Sequence, residues 1–243
     1  MKIALIGYGK MGHVIRNLGM QHGHTFPLVV DLDNVEELNS SRLKIVDVAI
    51  EFTTPASAPE NIMACLNQGV PVVSGTTGWN DRFNEVEQHC RQMNGGLFHA
   101  SNFSIGVNIL FAMNQHLARI MSRFPQYRVH IEEIHHIHKL DAPSGTAIAL
   151  ADQIIGEIEQ LEEWALNRPN QLEPDKTCVL KIDAVREGEI TGRHTVQYDS
   201  AADSITLIHD AKSREGFAAG VLMAAQFMVG KQGVFGMKDL FEF

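Results

Sequence analysis

The sequence is short of cysteine, tryptophan and tyrosine, with three, two and three among 243 residues, and the cysteine shortage closes two routes at once. Cys65, Cys90 and Cys178 are odd in number and form no Cys-x-x-Cys pair, which argues against a disulfide framework and a cysteine-ligated zinc site. They read as buried thiols. Basic residues are also in the minority: 20 Lys and Arg stand against 29 Asp and Glu, a formal net charge of −9, with no local cationic cluster to offset it. That balance is wrong for the phosphate backbone of a nucleic acid. Long apolar runs are missing too. The run at the start ends at Gly7 after a few residues, too short for a signal peptide or a membrane span. The expectation is a cytoplasmic protein with a small-molecule substrate, no nucleic acid and no membrane.

What is present is an ordinary globular composition, 44% hydrophobic and 20% charged, long enough for two domains. The apolar runs Lys2 to Ile6, Phe26 to Val30, Ile45 to Phe52, Val70 to Val73 and Leu97 to Ala100 read as strands. Between them lie the helix-compatible segments Val14 to Gln21, Ala56 to Asn67 and Asp81 to Met93. Strands alternating with helices predict a parallel sheet covered on both faces. From Gly106 the pattern changes. A helix from Val107 to Phe124 leads into Tyr127 to Ile131, Thr177 to Ala184, His194 to Tyr198 and Ser204 to His209, which alternate as half-buried strands do. One interior helix is expected from Ser144 to about Gln160, and the acidic stretch Glu157 to Glu163 reads as a solvated helix face. Phe217 to Val229 is again helical, placed to return to the first domain. The expected class is α/β: a Rossmann-type parallel-sheet domain over residues 1–104 with 215–243 returning to it, and an α+β domain with a mixed sheet over 105–214.

Gly7-Tyr8-Gly9-Lys10-Met11-Gly12 sits after a strand and before a helix, with Asp31 at the end of the next strand. This is the spacing and context of a dinucleotide site. Glycines allow a tight turn and let the backbone approach a pyrophosphate at a helix N-terminus, while the acid accepts hydrogen bonds from ribose hydroxyls. A carboxylate at Asp31 repels a 2′-phosphate and Leu32 brings no cation, which favours NADH; Lys10 in the turn keeps NADPH open. Gly75-Thr76-Thr77-Gly78 and Ala100-Ser101-Asn102-Phe103 each follow a strand of the same sheet, where ligands of such folds bind.

The densest chemistry lies in His135-His136-Ile137-His138-Lys139-Leu140-Asp141-Ala142-Pro143-Ser144-Gly145-Thr146-Ala147. Three imidazoles and an ammonium are costly to bury without partners, so a polar, concave site is their expected home. Zinc is the rival reading. Adjacent strand residues point to opposite faces, so His135 and His136 diverge, and no His-Glu-x-x-His pattern is present. No metal is expected. Ser144 is placed to cap a helix, and Ser144, Gly145 and Thr146 at its start are expected to bind a substrate carboxylate through their amides and hydroxyls.

With these motifs in view the whole chain resembles the 4-hydroxy-tetrahydrodipicolinate reductase (dihydrodipicolinate reductase) family of lysine and diaminopimelate synthesis. The thirteen-residue run carries the likeness, with Gly75 to Gly78, Asn102-Phe103-Ser104-x-Gly106-Val107-Asn108 and the segment from Ser213-Arg214 to Gly220. The resemblance implies reduction of 4-hydroxy-tetrahydrodipicolinate with NADH or NADPH, and a second domain that binds the dicarboxylate substrate and forms a homotetramer. His135 would be proton donor/acceptor and Lys139 proton donor, with His136, Gly145 and Thr146 on the substrate carboxylates. Gly7 to Gly12, Asp31, Gly75 to Thr77 and Ala100 to Phe103 would contact the cofactor. The first turn is one residue shorter than the Gly-x-x-Gly-Arg-Met-Gly of many members, and Asp31 to Ile45 is abbreviated. A reductase of the same build acting on another small acid, and a cofactor-sensing protein without turnover, are the competing readings. The presence of both His135 and Lys139 counts against the sensor.

Overall fold

A computed structural model describes residues 1–167 and 178–241, in two compact units: Met1–Ile105 with Arg214–Phe243, and Gly106–Ser213. The first unit opens with β1 (Lys2–Ile6), α1 (Lys10–Gln21), β2 (Thr25–Val30), β3 (Val48–Glu51), α2 (Ala58–Asn67), β4 (Val72–Ser74), α3 (Phe83–Gln92) and β5 (Gly96–His99). In the second come α4 (Ile105–Met121, its first residue still in the first unit), β6 (Arg128–His135), α5 (Gly145–Ile155), β7 (Glu163–Leu166), β8 (Val179–Arg186), β9 (Arg193–Asp199) and β10 (Ser204–Asp210). The chain then returns to the first unit with α6 (Glu215–Met228), β11 (Gly233–Phe235) and α7 (Met237–Phe241).

The first sheet has the strand order β11-β5-β4-β3-β1-β2, and every pairing is parallel. Its central strands are apolar without alternation because both faces are covered. One face packs Ala4, Ile6, Ala49 and Val72 with Ile62, Leu66 and Val86 of α2 and α3. The other packs Ile3, Leu5, Ile50 and Val73 with Ile15 of α1 and Ala218, Val221 and Ala225 of α6. The small residues of α6 are what let it lie this close: a Cβ on Gly220 would overlap the carbonyl oxygen of Phe103.

The second sheet, β10-β9-β6-β8-β7, is mixed, with β6 antiparallel to β9 and parallel to β8. Ile131, Leu180, Ile182, Val196 and Tyr198 face Leu150 and Ile154 of α5 in one core. β6 runs four residues beyond the alternation read from Tyr127 to Ile131, which carries His135 to the strand's last position.

Several expectations need correction. α5 stops at Ile155, with Gly156 as its C-cap, so Gln160 is outside it and the acidic stretch is no helix face. Glu163 instead opens the edge strand β7, whose Trp164 packs against the core. Residues between β2 and β3 form two 3-10 turns, Val35–Asn39 and Leu43–Ile45. β11 escaped the sequence reading because it has only three residues and starts at Gly233, where φ is +119°. Thr177, expected in a strand, and positions 242–243 lie outside the described residues. Among the described residues, no helix is long and apolar enough to cross a membrane.

Because no side chain at position 220 fits without moving a backbone carbonyl, Gly220→Ala is expected to destabilise the first unit by about 1–3 kcal/mol, the cost of overpacking. Denaturant unfolding checks this; an unchanged midpoint would contradict the packing described.

Candidate active site

In the first unit the carboxyl ends of β1, β3 and β4 surround a cleft of about 390 Å³ lined by Gly9, Lys10, Met11, Gly12, Phe52, Thr53, Pro55, Gly75, Thr76 and Thr77. Gly7 turns the chain at φ +92°, and a Cβ there would overlap the Phe52 carbonyl. Gly9 caps α1 without any side-chain hydrogen bond, no acid occupies the first turn, and the first intrahelical donor is the His13 N–H to Gly9 O at 3.1 Å. The preceding amides therefore lack intrahelical acceptors, and the positive end of the helix dipole faces the cleft. The space beside Gly9 is open, with no atom within 4 Å of where a Cβ would sit. A glycine cradle, uncapped amides and Lys10 fit the pyrophosphate of a dinucleotide.

Below the cleft lies Glu51, with no exposed surface. Its carboxylate accepts from Ser74 Oγ at 2.6 Å, Thr76 Oγ1 at 2.8 Å, Thr53 N at 3.0 Å and the Thr53 hydroxyl. Burial pushes its pKa up and these hydrogen bonds oppose the shift without cancelling it. Trp79, fully buried, donates Nε1–H to Thr76 O at 2.7 Å and pins the same turn from the other side. Two of the lining loops are thus tied to one carboxyl group.

In the second unit the last residues of β6 meet the start of α5. Glu133, fully buried, accepts from His135 Nδ1, from Arg186 Nη2 at 2.9 Å and Nη1 at 3.2 Å, and from Ser144 N at 3.2 Å. Burial alone would raise its pKa, but the His135 and Arg186 hydrogen bonds outweigh that and hold it below the usual carboxylate range. Ser144 caps α5 by accepting from Ala147 N at 3.2 Å, and its hydroxyl also lies 3.0 Å from His194 Nε2. The His194 ring stands edge-on to His135, centroids 5.2 Å apart. Lys139 Nζ reaches both oxygens of Asp141 at 2.8 Å, and Arg186 Nη2 donates to Asp141 O at 2.7 Å. One guanidinium therefore joins the buried carboxylate to the loop that carries Lys139.

Of the residues expected from sequence, Gly9, Lys10, Met11, Gly12, Gly75, Thr76 and Thr77 come together in one cleft, and His135 and Ser144 in one buried cluster. His136 stands apart from that cluster, its ring 6.0 Å from His138. Gly145 opens α5 with space beside it. Thr146 is half-buried in the same turn. Tyr8 stacks on His13 at 3.9 Å and accepts from Arg16 at 3.0 Å. Asp31 lies exposed just past β2 and accepts from Leu32 N at 3.0 Å. Ala100 N donates to Ser74 O, Ser101 is exposed, and Asn102 Oδ1 accepts from Ser104 N at 2.9 Å. Phe103 is a core residue, its ring against Phe98 and Phe52. Among the described residues no His, Cys, Asp and Glu cluster has the geometry to hold a metal.

Glu51, Glu133, Arg186 and His194 were not anticipated. Glu133 carried a readable signal: two residues before His135 on one strand, it shares a face with it. Arg186 and His194 come from other strands and required the register, in which His135 lies beside Arg186 and Glu133 opposite His194.

A glycine-turn cleft at the carboxyl edge of a parallel sheet, and a buried imidazole with an ammonium nearby in sequence, define a dinucleotide-dependent oxidoreductase. Family models narrow the class: residues 1–103 match dihydrodipicolinate reductase, N-terminus, and residues 106–241 match dihydrodipicolinate reductase, C-terminus. The chain is 43% identical to the 4-hydroxy-tetrahydrodipicolinate reductase of Christiangramia forsetii, covering 99% of this chain and 97% of that one. It is 32% identical to the protein of the same name from Caldanaerobacter subterraneus, over 96% and 94% of the two chains. Its fold is similar to a dipicolinate-bound dihydrodipicolinate reductase from Paenisporosarcina, with a TM-score of 0.76, 25% identity and 99% of both chains covered. The chain belongs to the dihydrodipicolinate reductase family, NAD(P)H-dependent oxidoreductases of lysine and diaminopimelate biosynthesis.

Burial and the neighbouring His135 push the His194 pKa down to about 3. The folded chain then refuses a proton that the unfolded chain accepts below its ordinary value, so this contribution is complete above about pH 6.5 and is lost as pH falls. Stability should drop by about 2 kcal/mol on going to about pH 5. Thermal unfolding against pH checks this: His194→Gln flattens the slope, and a wild-type slope in that variant would contradict the assignment.

Proposed function

We propose that the chain reduces 4-hydroxy-tetrahydrodipicolinate with His135 and Lys139 as its proton-transfer groups, and His136, Gly145 and Thr146 on the two substrate carboxylates. Loss of the substrate's 4-hydroxyl group as water conjugates the cyclic imine, and a nicotinamide held by the first unit would supply a hydride to it. Electron density is pushed onto the ring, and an acid must deliver a proton as that charge develops. The observation that carries this reading is the meeting of a buried, carboxylate-held imidazole with the open first turn of α5, whose Gly145 leaves its amides approachable by an anion. Ser144 supports that turn as its cap, with its hydroxyl already engaged by Ala147 N and His194. Lys139 gives up Asp141 for a substrate carboxylate, exchanging one carboxylate partner for another at little cost in charge.

For the cofactor, Gly7, Tyr8, Gly9, Lys10, Met11 and Gly12 hold the pyrophosphate side, and Gly75 to Thr77 with Ala100 to Phe103 the remainder. NADH is favoured over NADPH because Asp31 is an exposed carboxylate with Leu32, 91% exposed, beside it. We infer a cytoplasmic homotetramer. Support for assembly comes from Ile134, Val185 and Ile208, which alternation puts on the face of the second sheet opposite the core and outside its hydrophobic cluster.

Lys139→Met and His135→Ala should each cut turnover by about 10²-fold or more, the scale of lost general-acid catalysis, with cofactor affinity nearly unchanged. Steady-state kinetics with equilibrium cofactor binding checks both, and near-normal turnover in either defeats its assignment. Asp31→Ser should move the NADH/NADPH ratio of kcat/KM towards NADPH by about 10-fold, roughly the worth of one removed like-charge contact. An unmoved ratio would remove Asp31 from cofactor selection.

A further inference from the structure

We propose that Glu133 is the positioning residue of the proton-transfer centre: its carboxylate fixes the His135 ring with Nδ1 as the donor, and Gly192 keeps Nε2 uncovered for substrate. This rests on the reading of His135 as a proton-transfer group. No exposed surface remains on Glu133, and a buried carboxylate without donors is prohibitively costly. Donors reach it from three elements: the His135 ring on β6, the Arg186 guanidinium on β8 through two N–H groups, and the Ser144 amide at the start of α5. With Arg186 and the Ser144 amide in place the group stays ionised, and an ionised carboxylate only accepts. His135 must therefore present N–H from Nδ1, which leaves Nε2 as the atom that gains or releases the working proton.

Nε2 points at Gly192. A Cβ there would come within 2.9 Å of Nε2 and 3.3 Å of Cδ2, and no positive φ requires glycine at this position. Glycine at 192 is thus explained by what a methyl would cover. The remaining charged and titratable groups around the ring are His194 on β9, with His209 opposite it on β10, and Lys139 and Asp141 on the loop after β6. His194 is kept neutral by burial and by His135 itself, and its Nδ1 is buried with no partner among the described residues.

The test is Glu133→Gln, which keeps the shape and removes the charge. Turnover should fall on the order of 10²-fold. The alkaline limb of the kcat profile should move to lower pH, because the neighbouring negative charge that favours the imidazolium is gone. Glu133→Asp, retaining the charge, should keep the limb near its wild-type position. NADH affinity, which reports on the first unit, should be unchanged in both. A folded Glu133→Gln enzyme with the wild-type kcat and pH profile would overturn the proposal. If that variant does not fold because Arg186 is left unpaired, Gly192→Ala decides: about 10-fold or greater loss of kcat with an unchanged melting temperature is expected, from a ring moved off its working position. Wild-type kcat in Gly192→Ala would then overturn it. His135→Ala separates the two levels: near-normal turnover there removes the role of His135 itself. An inactive His135→Ala beside normal Glu133 and Gly192 variants removes only the positioning.

Discussion

A carboxylate with no exposed surface has to be supplied with donors from wherever the chain can bring them, and in each unit that requirement organises the site. Glu51 is served by hydroxyls and one amide, from Ser74 at the end of β4 and from Thr53 and Thr76 on the loops after β3 and β4, at the carboxyl edge of the parallel sheet. Among the described residues no cation is hydrogen-bonded to it, and burial wins, so its proton is held more tightly. Glu133 is served by a guanidinium, an imidazole and an amide, and there the hydrogen bonds win over burial. The difference in donors gives the two groups different work. One ties together the loops that line the cleft of the first unit, and the other keeps a negative charge beside an imidazole.

The chain route follows from what each sheet needs. A parallel sheet must be covered on both faces, and α2 and α3 cover one while α1 shares the other with α6, which arrives only after the entire second unit has been threaded. The small residues of α6 allow backbone-close packing on Phe103, at the end of the loop after β5. The second sheet faces a single helix layer, and its strands alternate accordingly, with β6 presenting Ile131, Glu133 and His135 inward. The same alternation that builds the core of this unit delivers its chemistry to the covered side.

Much of this was legible in the residues. The glycine turn, the acid after β2 and the Gly-Thr-Thr-Gly loop are local patterns with a local cause, and the cleft that brings the two glycine loops together needs only the parallel order of β1, β3 and β4. The His-to-Ala run announced itself by density, and Ser144 caps α5 as its position implied. What stayed hidden depends on register or on weak signals. Arg186 and His194 meet Glu133 and His135 only through pairings across β8 and β9. Glu51 reads in sequence as the polar end of an apolar run, and nothing local says that three hydroxyls will converge on it. The stretch after α5 was misread because acidic residues resemble a solvated helix face, whereas Gly156 ends the helix and Trp164 draws β7 onto the core edge.

The most direct test of the account is loss of reduced-nicotinamide absorbance when the purified protein meets freshly synthase-generated 4-hydroxy-tetrahydrodipicolinate, run in parallel with NADH and NADPH. Rapid oxidation, faster with NADH, is the predicted result. Absence of oxidation with either nucleotide, in protein that demonstrably binds the cofactor, would contradict the assignment of this substrate to the site built on His135 and Lys139.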